Sequence, residues 1–316
     1  MTEPLWEDED RPRVAAMGPV RVRVPAKINL HLGVGPARGD GYHELATIYH
    51  AIALFDEISA RPADSLALTM DGEGAGELAL DGSNLVIKAV LALAEATGRE
   101  PHARVHLRKQ IPLAAGLAGG SADAAAALVA CDALWGTGFS REELAQIGAG
   151  IGSDVPFLVL GGTALGTGRG EAVSPVLAPG HAWHWVIAIA EGGLSTPEVY
   201  RELDRLRAAG SAPPPVGSPD EILAALRQRD PGVLAKALGN DLQPAALSLR
   251  PAIRATLDAG EAAGVLAGLV SGSGPTCVFL TRDAAHATAV ATALTDRALC
   301  RSIRTVHGPV PGARLI

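Results

Sequence analysis

The sequence predicts an α+β protein with two domains. Its strand-like segments come first as a group and then mix irregularly with helical ones, unlike the regular alternation of a doubly wound parallel sheet. The length of 316 residues is enough for two domains of ordinary size. Proline and glycine cluster near residues 176–180, where we expect the connection. The predicted division is an extension (1–18), an N-terminal domain (19–177) and a C-terminal domain (178–316).

The N-terminal part carries the clearest strand patterns. Apolar residues recur at every second position in "VRVRVPAKINLHLGV", which is the period of paired strands. Further strands are predicted at residues 45–58, 65–70 and 102–112. Between the last two lies a helix, for which Asn84 is a suitable N-cap and Gly98 a suitable end.

Helical signals become more frequent after residue 135. Ser140 and Glu143 form a capping box, and "WHWVIAIA" has the continuous apolar pattern of a buried strand. In "STPEVYRELDRLR" we predict a helix with Thr196 as its cap and Pro197 in its first turn. Later helices and strands are predicted up to a last strand near Ile303.

Composition excludes several classes of function. The net charge of −7 leaves no electrostatic footprint for nucleic acid, and no apolar run is long enough to cross a membrane. The first residues, "MTEPLWEDEDRPRVAAMGP", lack the basic start and apolar core of a signal peptide, so we predict a disordered extension with Met17 as an alternative start. Without a coiled-coil pattern, the default expectation is a monomer.

The three cysteines, Cys131, Cys277 and Cys300, are far apart and show no metal-binding spacing. Two of them sit in apolar runs, which is typical of small core residues, and the pattern indicates a reducing compartment, so a cytoplasmic protein is expected.

The stretch "IPLAAGLAGGSADAAAALVACDALW" (111–135) is the first candidate for chemistry. The order strand, proline, glycine-rich loop and helix places the loop at a helix N-terminus, where backbone N–H groups can bind an anion. Ser121 stands at the helix start and is suited to cap it, or to bind a phosphate oxygen or Mg²⁺. The pattern is neither a Walker A loop nor a dinucleotide fingerprint, and alone it is equally typical of a tight turn before a core helix.

Three other stretches carry polar residues in apolar surroundings. Lys27 and Asn29 lie two apart in a predicted strand and therefore share a face. Asp154 in "GIGSDVPF" stands at the start of a short apolar element, and "GLVSGSGPTCVFL" joins two strands through a Ser-Gly loop. Each alone is typical of an ordinary structural role: an edge lysine, a capping aspartate and a turn.

Together these stretches resemble the GHMP superfamily of small-molecule kinases, whose three motifs occur in this order. The motifs "PAKINLHLGV", "RGDGYHEL", "GLAGGSADAA", "GSDVPF", "GGTALGTGRGE" and "SGSGPTC" are most similar to the branch that acts on a cytidine-diphosphate-linked sugar alcohol. The resemblance runs from about Val20 to the C-terminus. It implies a two-domain GHMP-kinase fold with an N-terminal ATP-binding domain, a C-terminal substrate domain and the active site in the cleft between them.

The resemblance also implies an activity: ATP-dependent phosphorylation of the 2-hydroxyl of 4-diphosphocytidyl-2-C-methyl-D-erythritol, in non-mevalonate isoprenoid precursor biosynthesis. Lys27 and Asp154 match the catalytic pair, with Asp154 as general base. Such a pair suits the chemistry, since a hydroxyl is a poor nucleophile until its proton is accepted.

ATP, with Mg²⁺, is the nucleotide that the resemblance implies, and Ser121 is the one candidate for the metal. The matching ATP-binding positions are Pro112, Leu113, Ala114, Ala115, Gly116, Leu117, Ala118, Gly119, Gly120, Ser121 and Ala122, with Asn84 and Lys88 near the adenine. The C-terminal glycine loop matches Ser271, Gly272, Ser273 and Gly274. The substrate positions match Asn29, Tyr42, His43, Thr196 and Tyr200, with Tyr42 stacking on cytosine and His43 bonding its edge.

Two alternatives remain at this point. Another GHMP kinase, of the homoserine or mevalonate type, has no use for a base clamp at Tyr42 and His43. A catalytically silent binding protein has no need of both Lys27 and Asp154. The loop also departs from the family pattern, because Ala114, Ala115 and Ala118 stand where glycine is common. If one of them adopts a left-handed conformation, nucleotide binding is expected to be weaker.

Overall fold

The computed structural model describes residues 18–177 and 180–316. In this part of the chain, two β-sheets are surrounded by helices, as expected for an α+β protein. Apart from Gly18, the predicted extension and the alternative start at Met17 lie outside the described residues.

The strands and helices follow one another without a repeating pattern. Up to residue 177 the strands are β1 (Val20–Ala37), β2 (His43–Arg61), β3 (Ala67–Gly72), β4 (Arg104–Lys109), β5 (Thr163–Thr167) and β6 (Ala172–Pro175), and the helices are α1 (Leu85–Thr97), α2 (Gly119–Trp135), α3 (Arg141–Ala149) and α4 (Val155–Leu160). From residue 180 the strands are β7 (Trp183–Ile189), β8 (Gly239–Asn240), β9 (Ala267–Val270), β10 (Cys277–Thr281), β11 (Ser302–Gly308) and β12 (Arg314–Leu315). The helices of this second part are α5 (Thr196–Ala208), α6 (Asp220–Gln228), α7 (Pro231–Ala237), α8 (Gln243–Leu249), α9 (Ala252–Ala262) and α10 (Ala284–Thr295).

The first sheet is built on the long antiparallel pair β1 and β2. Its order is β12-β1-β2-β4-β3, with β5 also paired to β2 and β6 paired to β5. The second sheet is antiparallel, in the order β11-β7-β10-β9. Two short segments from the second part, β8 and β12, pair with β1 in the first sheet. The predicted division near residue 177 stays a prediction, and the two parts share a sheet across it.

Two of the predicted helix caps are present in the structure, and a third is not. The Asn84 side chain accepts from the Val86 N–H at the start of α1, and Gly98 ends that helix at φ 64°. The Ser140–Glu143 capping box is formed at α3. The prediction of Thr196 as a cap is wrong: Ser195 occupies the N-cap position of α5 and Thr196 is its first residue. Its hydroxyl lies 2.9 Å from Ser273 Oγ instead, so a tertiary hydrogen bond has replaced the local one.

Helix α2 is the centre of the N-terminal part. Of its 17 residues, 13 are buried, and the run of alanines lets neighbouring elements approach closely. It packs against α1, α4, β1 and β2. The core that contains α2 continues into the second sheet through Trp185 and Ile187, so the two sheets rest on one hydrophobic interior. Among the described residues, no helix has the length and apolarity that crossing a membrane requires.

His50 is a fully buried histidine where the two sheets meet. Its Nδ1 lies 2.8 Å from Thr163 Oγ1, its ring is 6.1 Å from that of Trp185, and Nε2 has no hydrogen-bond partner in the described part of the chain. Burial lowers the pKa of His50 to about 3. The folded protein therefore keeps this ring neutral at pH values where an unfolded chain would protonate it.

We expect this ring to make the protein sensitive to acid. Because the unfolded state binds the extra proton as the pH falls below about 6.5, the free energy of unfolding should drop by about 2 kcal/mol between pH 7 and pH 5 on this account alone. In His50→Gln, the free energy of unfolding measured with urea should fall less between pH 7 and pH 5, by about that amount. His102→Gln, at an exposed position, is the control; equal slopes in the two variants would exclude His50 as the source.

Candidate active site

A cleft of about 1260 Å³ runs between the glycine-rich loop before α2 and helix α5. Its walls come from both parts of the chain, as expected for a site between two domains. Most of the predicted site residues line it: Lys27, Asn29, Tyr42, His43, Pro112, Leu113, Ala114, Ala115, Gly116, Ala118, Gly119, Gly120, Ser121, Asp154, Thr196, Tyr200, Gly272 and Ser273.

Lys27 and Asn29 stand together on one face of β1 at the floor of the cleft. Lys27 Nζ donates to Asn29 Oδ1 at 2.8 Å, and Asn29 Nδ2 donates to Thr47 Oγ1 at 2.7 Å. The lysine is 5% exposed, so its ammonium is held in a fixed place by buried partners. Lys27 Nζ also lies 3.9 Å from Asp154 Oδ2. Two side chains that are 127 residues apart in sequence thus form one charged pair.

Asp154 occupies the N-cap position of the short helix α4, but its side chain makes no capping hydrogen bond. The reading of this residue as an ordinary capping aspartate therefore does not hold. Its carboxylate, about one quarter exposed, is directed to the cleft beside Lys27. A carboxylate that is free of local hydrogen bonds and close to a cation is available to accept a proton from a ligand.

Two phenols lie close to this carboxylate. Burial, and then the charge of Asp154, raises the pKa of Tyr49 well above its ordinary value, and the same two causes raise the pKa of Tyr200. Tyr49 stands opposite Asn29 in the β1–β2 pair, which places its ring 5.6 Å from Lys27 Nζ. Both phenols stay neutral and can donate hydrogen bonds. Tyr49 was missed by sequence reasoning, because it reads as one of the apolar residues of a strand.

The glycine-rich loop leads directly into the N-terminus of α2, as predicted. Gly119, Gly120 and Ser121 form its first turn and line the cleft, whereas the side chains of Leu117 and Ala122 are buried in the core. The first N–H groups of a long helix therefore face the space where an anion can bind.

Two of the three alanines in question adopt the left-handed conformation. Ala114 has φ 47° and Ala118 has φ 57°, and Ala118 is the residue just before α2. For a residue with a Cβ this costs roughly 1–2 kcal/mol each. The loop is therefore held in a conformation that glycine would adopt without strain, while Ala115 is not affected in this way.

A buried cluster of three charges lies beneath the loop. Lys109 Nζ is 2.7 Å from Asp56 Oδ2 and 2.7 Å from Asp123 Oδ2, and all three side chains are almost completely buried. Asp56 Oδ1 also accepts from the Ile111 N–H at 2.8 Å and from the Gln110 N–H. The cluster, which we call the Lys109 triad, links β2, the end of β4 and the first turns of α2.

The charge balance of the Lys109 triad is uneven. Burial alone would lower the pKa of Lys109, but the carboxylates of Asp123 and Asp56 outweigh it and raise that pKa. Burial raises the pKa of Asp123 well above its ordinary value, with Lys109 opposing the effect and Asp56 adding to it. Asp123 Oδ1 has no hydrogen-bond partner in the described residues. The ammonium is thus firmly charged, and burial disfavours the ionised form of Asp123.

The C-terminal glycine loop locks against the first loop. Ser271 Oγ donates to the Gly116 carbonyl at 3.0 Å, and a Cβ on Gly116 would collide with the Ser271 carbonyl oxygen. Asn240 Nδ2 donates to the carbonyls of Val270 and Gly272, at 2.8 and 2.7 Å. Sequence reasoning missed Asn240, which stands in β8 among "GNDLQP". Gly272 and Ser273 face the cleft.

Three aromatic side chains, those of Tyr42, His43 and Tyr200, also line the cleft. Tyr42 is 53% exposed, and the Arg169 guanidinium lies 5.0 Å from its ring centre. His43 is buried, 5.0 Å from the Tyr200 ring, with Nε2 2.9 Å from Asp204 Oδ1. Arg169 and Asp204 also line the cleft. Neither was singled out from the sequence, although Arg169 lies in the quoted motif "GGTALGTGRGE" and Asp204 follows Tyr200 by one helical turn.

Asn84 and Lys88 are not among the residues that line the cleft. Asn84 uses its side chain at the start of α1, donating to the Ala79 carbonyl as well as capping, and Lys88 is exposed on the same helix. Leu85, between them, does reach the cleft. Their assignment to the adenine side stays a prediction.

A metal ion would have few protein ligands here. No group of three or more His, Cys, Asp or Glu side chains within residues 18–177 and 180–316 is arranged to hold one. Ser121 and Asp154 offer oxygen atoms in the cleft. That suits Mg²⁺ on a nucleotide, which usually takes one or two protein oxygens together with phosphate oxygens and water.

Comparison with known proteins finds relatives over the whole length of the chain. Sequence models described as "GHMP kinases N terminal domain" and "GHMP kinases C terminal" match residues 84–162 and 222–298. Among curated relatives, the 4-diphosphocytidyl-2-C-methyl-D-erythritol kinase of Salinispora tropica is 73% identical over 315 residues and covers 100% of both chains. The proteins of the same name from Nocardia farcinica and Mycobacterium tuberculosis are 55% and 52% identical, over 94% and 95% of this chain and 96% and 93% of theirs.

Solved structures show the same fold. A crystal structure of 4-(cytidine 5'-diphospho)-2C-methyl-D-erythritol kinase superimposes with a TM-score of 0.72 at 32% identity, covering 90% of this chain and 98% of that one. Homoserine kinase from Cytophaga hutchinsonii reaches 0.74 at 19% identity, covering 96% and 99%. The two TM-scores are nearly equal, so the fold does not distinguish between substrates.

The Lys109 triad gives a stability prediction. Lys109→Met should lower the free energy of unfolding by about 3–5 kcal/mol, because it leaves two buried carboxylates without a cation. Asp123→Asn should cost much less, since it keeps an acceptor for Lys109 and removes the charge that burial disfavours. Urea unfolding at pH 7 measures both. A similar loss in the two variants would show that packing, and not charge balance, governs this cluster.

Proposed function

The chain belongs to the GHMP kinases, and from its relatives within that family we propose that it is a kinase that transfers the γ-phosphoryl group of ATP to the 2-hydroxyl of 4-diphosphocytidyl-2-C-methyl-D-erythritol. Such a reaction serves the non-mevalonate route to isoprenoid precursors. The observation that carries the proposal is the pair of Lys27 and Asp154, 3.9 Å apart, between a helix N-terminus and an aromatic group. An anion site, a base and a platform for a nucleobase are the three parts that this transfer needs.

Asp154 is proposed as the general base. Its carboxylate accepts the proton of the substrate hydroxyl as the phosphoryl group is transferred. Lys27 lies close enough to offset charge that develops on the transferred group. The neutral phenols of Tyr49 and Tyr200 stand beside Asp154 and can orient its carboxylate by donating hydrogen bonds. Asn29, which accepts from Lys27, holds the ammonium in position.

The triphosphate of ATP is proposed to bind along residues 112–122. The N–H groups of Gly119, Gly120 and Ser121 point out of the first turn of α2, where the helix dipole favours negative charge. This matters in a protein with a net charge of −7, because the anion must be bound by local dipoles and a few cations. Ala114 and Ala118 are strained in the left-handed conformation, so the expectation that they weaken nucleotide binding stays a prediction.

Mg²⁺ is proposed to accompany ATP, with the Ser121 hydroxyl as its protein ligand. The Asp154 carboxylate lines the same cleft. When bound, the ion would neutralise phosphate charge. The residues present fit this role, since Ser121 lies at the start of α2 and next to the turn at Gly152 that leads to Asp154.

The cytidine end of the substrate is proposed to bind between Tyr42 and Tyr200, with His43 at the edge of the base. Stacking of a base on an aromatic side chain contributes about 1–3 kcal/mol. Thr196 and Ser273, joined by a 2.9 Å hydrogen bond, border the same part of the cleft.

The competing readings are weaker. A homoserine or mevalonate kinase needs no exposed tyrosine next to a buried histidine at the mouth of the cleft. A silent binding protein has no use for a carboxylate that makes no capping hydrogen bond and faces a lysine. The division into an ATP-binding domain (19–177) and a substrate domain (178–316), the monomeric state and the cytoplasmic location stay predictions.

A product assay with ATP and 4-diphosphocytidyl-methylerythritol tests the function, with homoserine and mevalonate as the other acceptors.

Loss of the base should affect chemistry and not nucleotide binding. In Asp154→Asn we expect turnover to fall about 10²-fold or more, because no group accepts the hydroxyl proton, while the Kd for an ATP analogue changes little. Asp258→Asn, an exposed aspartate on α9, is the matched control. Near-normal turnover of Asp154→Asn would remove this residue from the role.

Loss of the stacking ring should affect the cytidyl substrate and not ATP. Tyr42→Ala should raise the KM for the cytidyl substrate about 5- to 150-fold, the range that corresponds to one stacked base. Tyr42→Phe keeps the ring and should stay close to the wild type. Steady-state kinetics with each substrate varied in turn measure this, and a rise confined to the KM for ATP would place the base elsewhere.

A further inference from the structure

The pair formed by His43 and Asp204 joins the two walls of the cleft. His43 begins β2 in the first sheet, whereas Asp204 lies on α5 in the second part. Nε2 of the ring is 2.9 Å from Asp204 Oδ1. The histidine side chain is 6% exposed and that of the aspartate 43%. A nearly buried ring is thus held by a carboxylate that still reaches solvent.

This geometry sets which ring nitrogen carries the proton. An ionised carboxylate can only accept, so His43 must donate through Nε2–H. In a neutral imidazole the lone pair then stands on Nδ1, which makes no hydrogen bond with any residue in the described part of the chain. The Tyr200 ring lies 5.0 Å from the His43 ring and limits its rotation. Tyr200 and Asp204 are one helical turn apart, so one face of α5 supplies both restraints.

We propose that Asp204 is a positioning residue that makes the site selective for cytosine over uracil, by holding His43 with an acceptor nitrogen toward the base. This inference rests on the proposed function, in which His43 bonds the edge of a cytidine. Cytosine presents a 4-amino group, which donates, where uracil presents a carbonyl oxygen, which accepts. An Nδ1 lone pair pairs with the amino group and repels the carbonyl oxygen.

If the His43–Asp204 pair only joined two surfaces, it would not need to lie beside the residues that are proposed to bind the base. Tyr42, the neighbour of His43 in sequence, lies at the same end of the cleft, and all four residues of the group line it. Stacking on Tyr42 and Tyr200 accepts any base, because every base has an aromatic face. Discrimination therefore has to come from a polar group at the edge, and a group whose proton is fixed discriminates better than one free to change tautomer.

Binding of CDP and UDP tests the proposal. Kd values are measured by calorimetry for the wild type, Asp204→Ala and Glu198→Ala, with a non-hydrolysable ATP analogue at saturation so that the ATP site is occupied. Glu198 is an exposed carboxylate on α5 that does not line the cleft, and serves as the matched control. We expect the wild type and Glu198→Ala to prefer CDP by about 10- to 100-fold. In Asp204→Ala this ratio should shrink at least about fivefold, mainly through weaker CDP and stronger UDP binding.

A second measurement reads the tautomer directly. In ¹H–¹⁵N spectra of histidine-labelled protein, the His43 ring of the wild type should show a protonated Nε2 and an unprotonated Nδ1, and Asp204→Ala should lose that fixed pattern. A ring protonated on both nitrogens, or an unchanged CDP-to-UDP ratio in Asp204→Ala, would overturn the inference. Failure of the wild type to bind CDP at all would instead count against the proposed function.

Discussion

Beneath the glycine-rich loop, one buried ammonium holds β2 and β4 of the first sheet and helix α2 in place. Lys109 reaches Asp56 in β2 and Asp123 in α2 at 2.7 Å each, and Asp56 accepts in addition from the backbone where the loop begins. Removing three charged groups from water costs several kcal/mol per ion, and short hydrogen bonds must offset it. The position of the amides that face the cleft therefore depends on a buried charge cluster beneath them.

The second constraint is steric, and it acts between loops. Gly116 approaches the Ser271 carbonyl closely, and a Cβ on Gly193 would clash with the Ala114 methyl. Asn240 fixes the C-terminal loop by donating to two of its neighbouring carbonyls. The loops that contain Gly116, Gly193 and Ser271 are thus tightly packed against one another. Small residues that suggest a flexible loop in the sequence allow this close packing.

Sequence reasoning reached the fold class, the capped helices and most of the cleft residues, since each of these depends on a local pattern or a motif. It missed the Lys109 triad because Asp56 and Lys109 are 53 residues apart and each lies in a strand that reads as ordinary. It missed Asp204 for a similar reason, as its partner His43 is 161 residues away. Thr196 was misread as a cap because a tertiary partner, Ser273, competes for its hydroxyl. Strands of two residues, such as β8 and β12, have no periodicity to detect.

Those two short strands bear on how the protein is made. Both pair with β1, on the side that β2 does not occupy: Val22 and Arg23 face Leu315 and Arg314, and His31 and Leu32 face Gly239 and Asn240. On a ribosome, β1 and β2 emerge early, whereas the outer edge of β1 can be covered at His31 and Leu32 only after β8 has emerged, and at Val22 and Arg23 only after β12. An open strand edge is a site for wrong pairing. The edge at Val22 and Arg23 is therefore unprotected longest, because β12 follows every other described strand and helix.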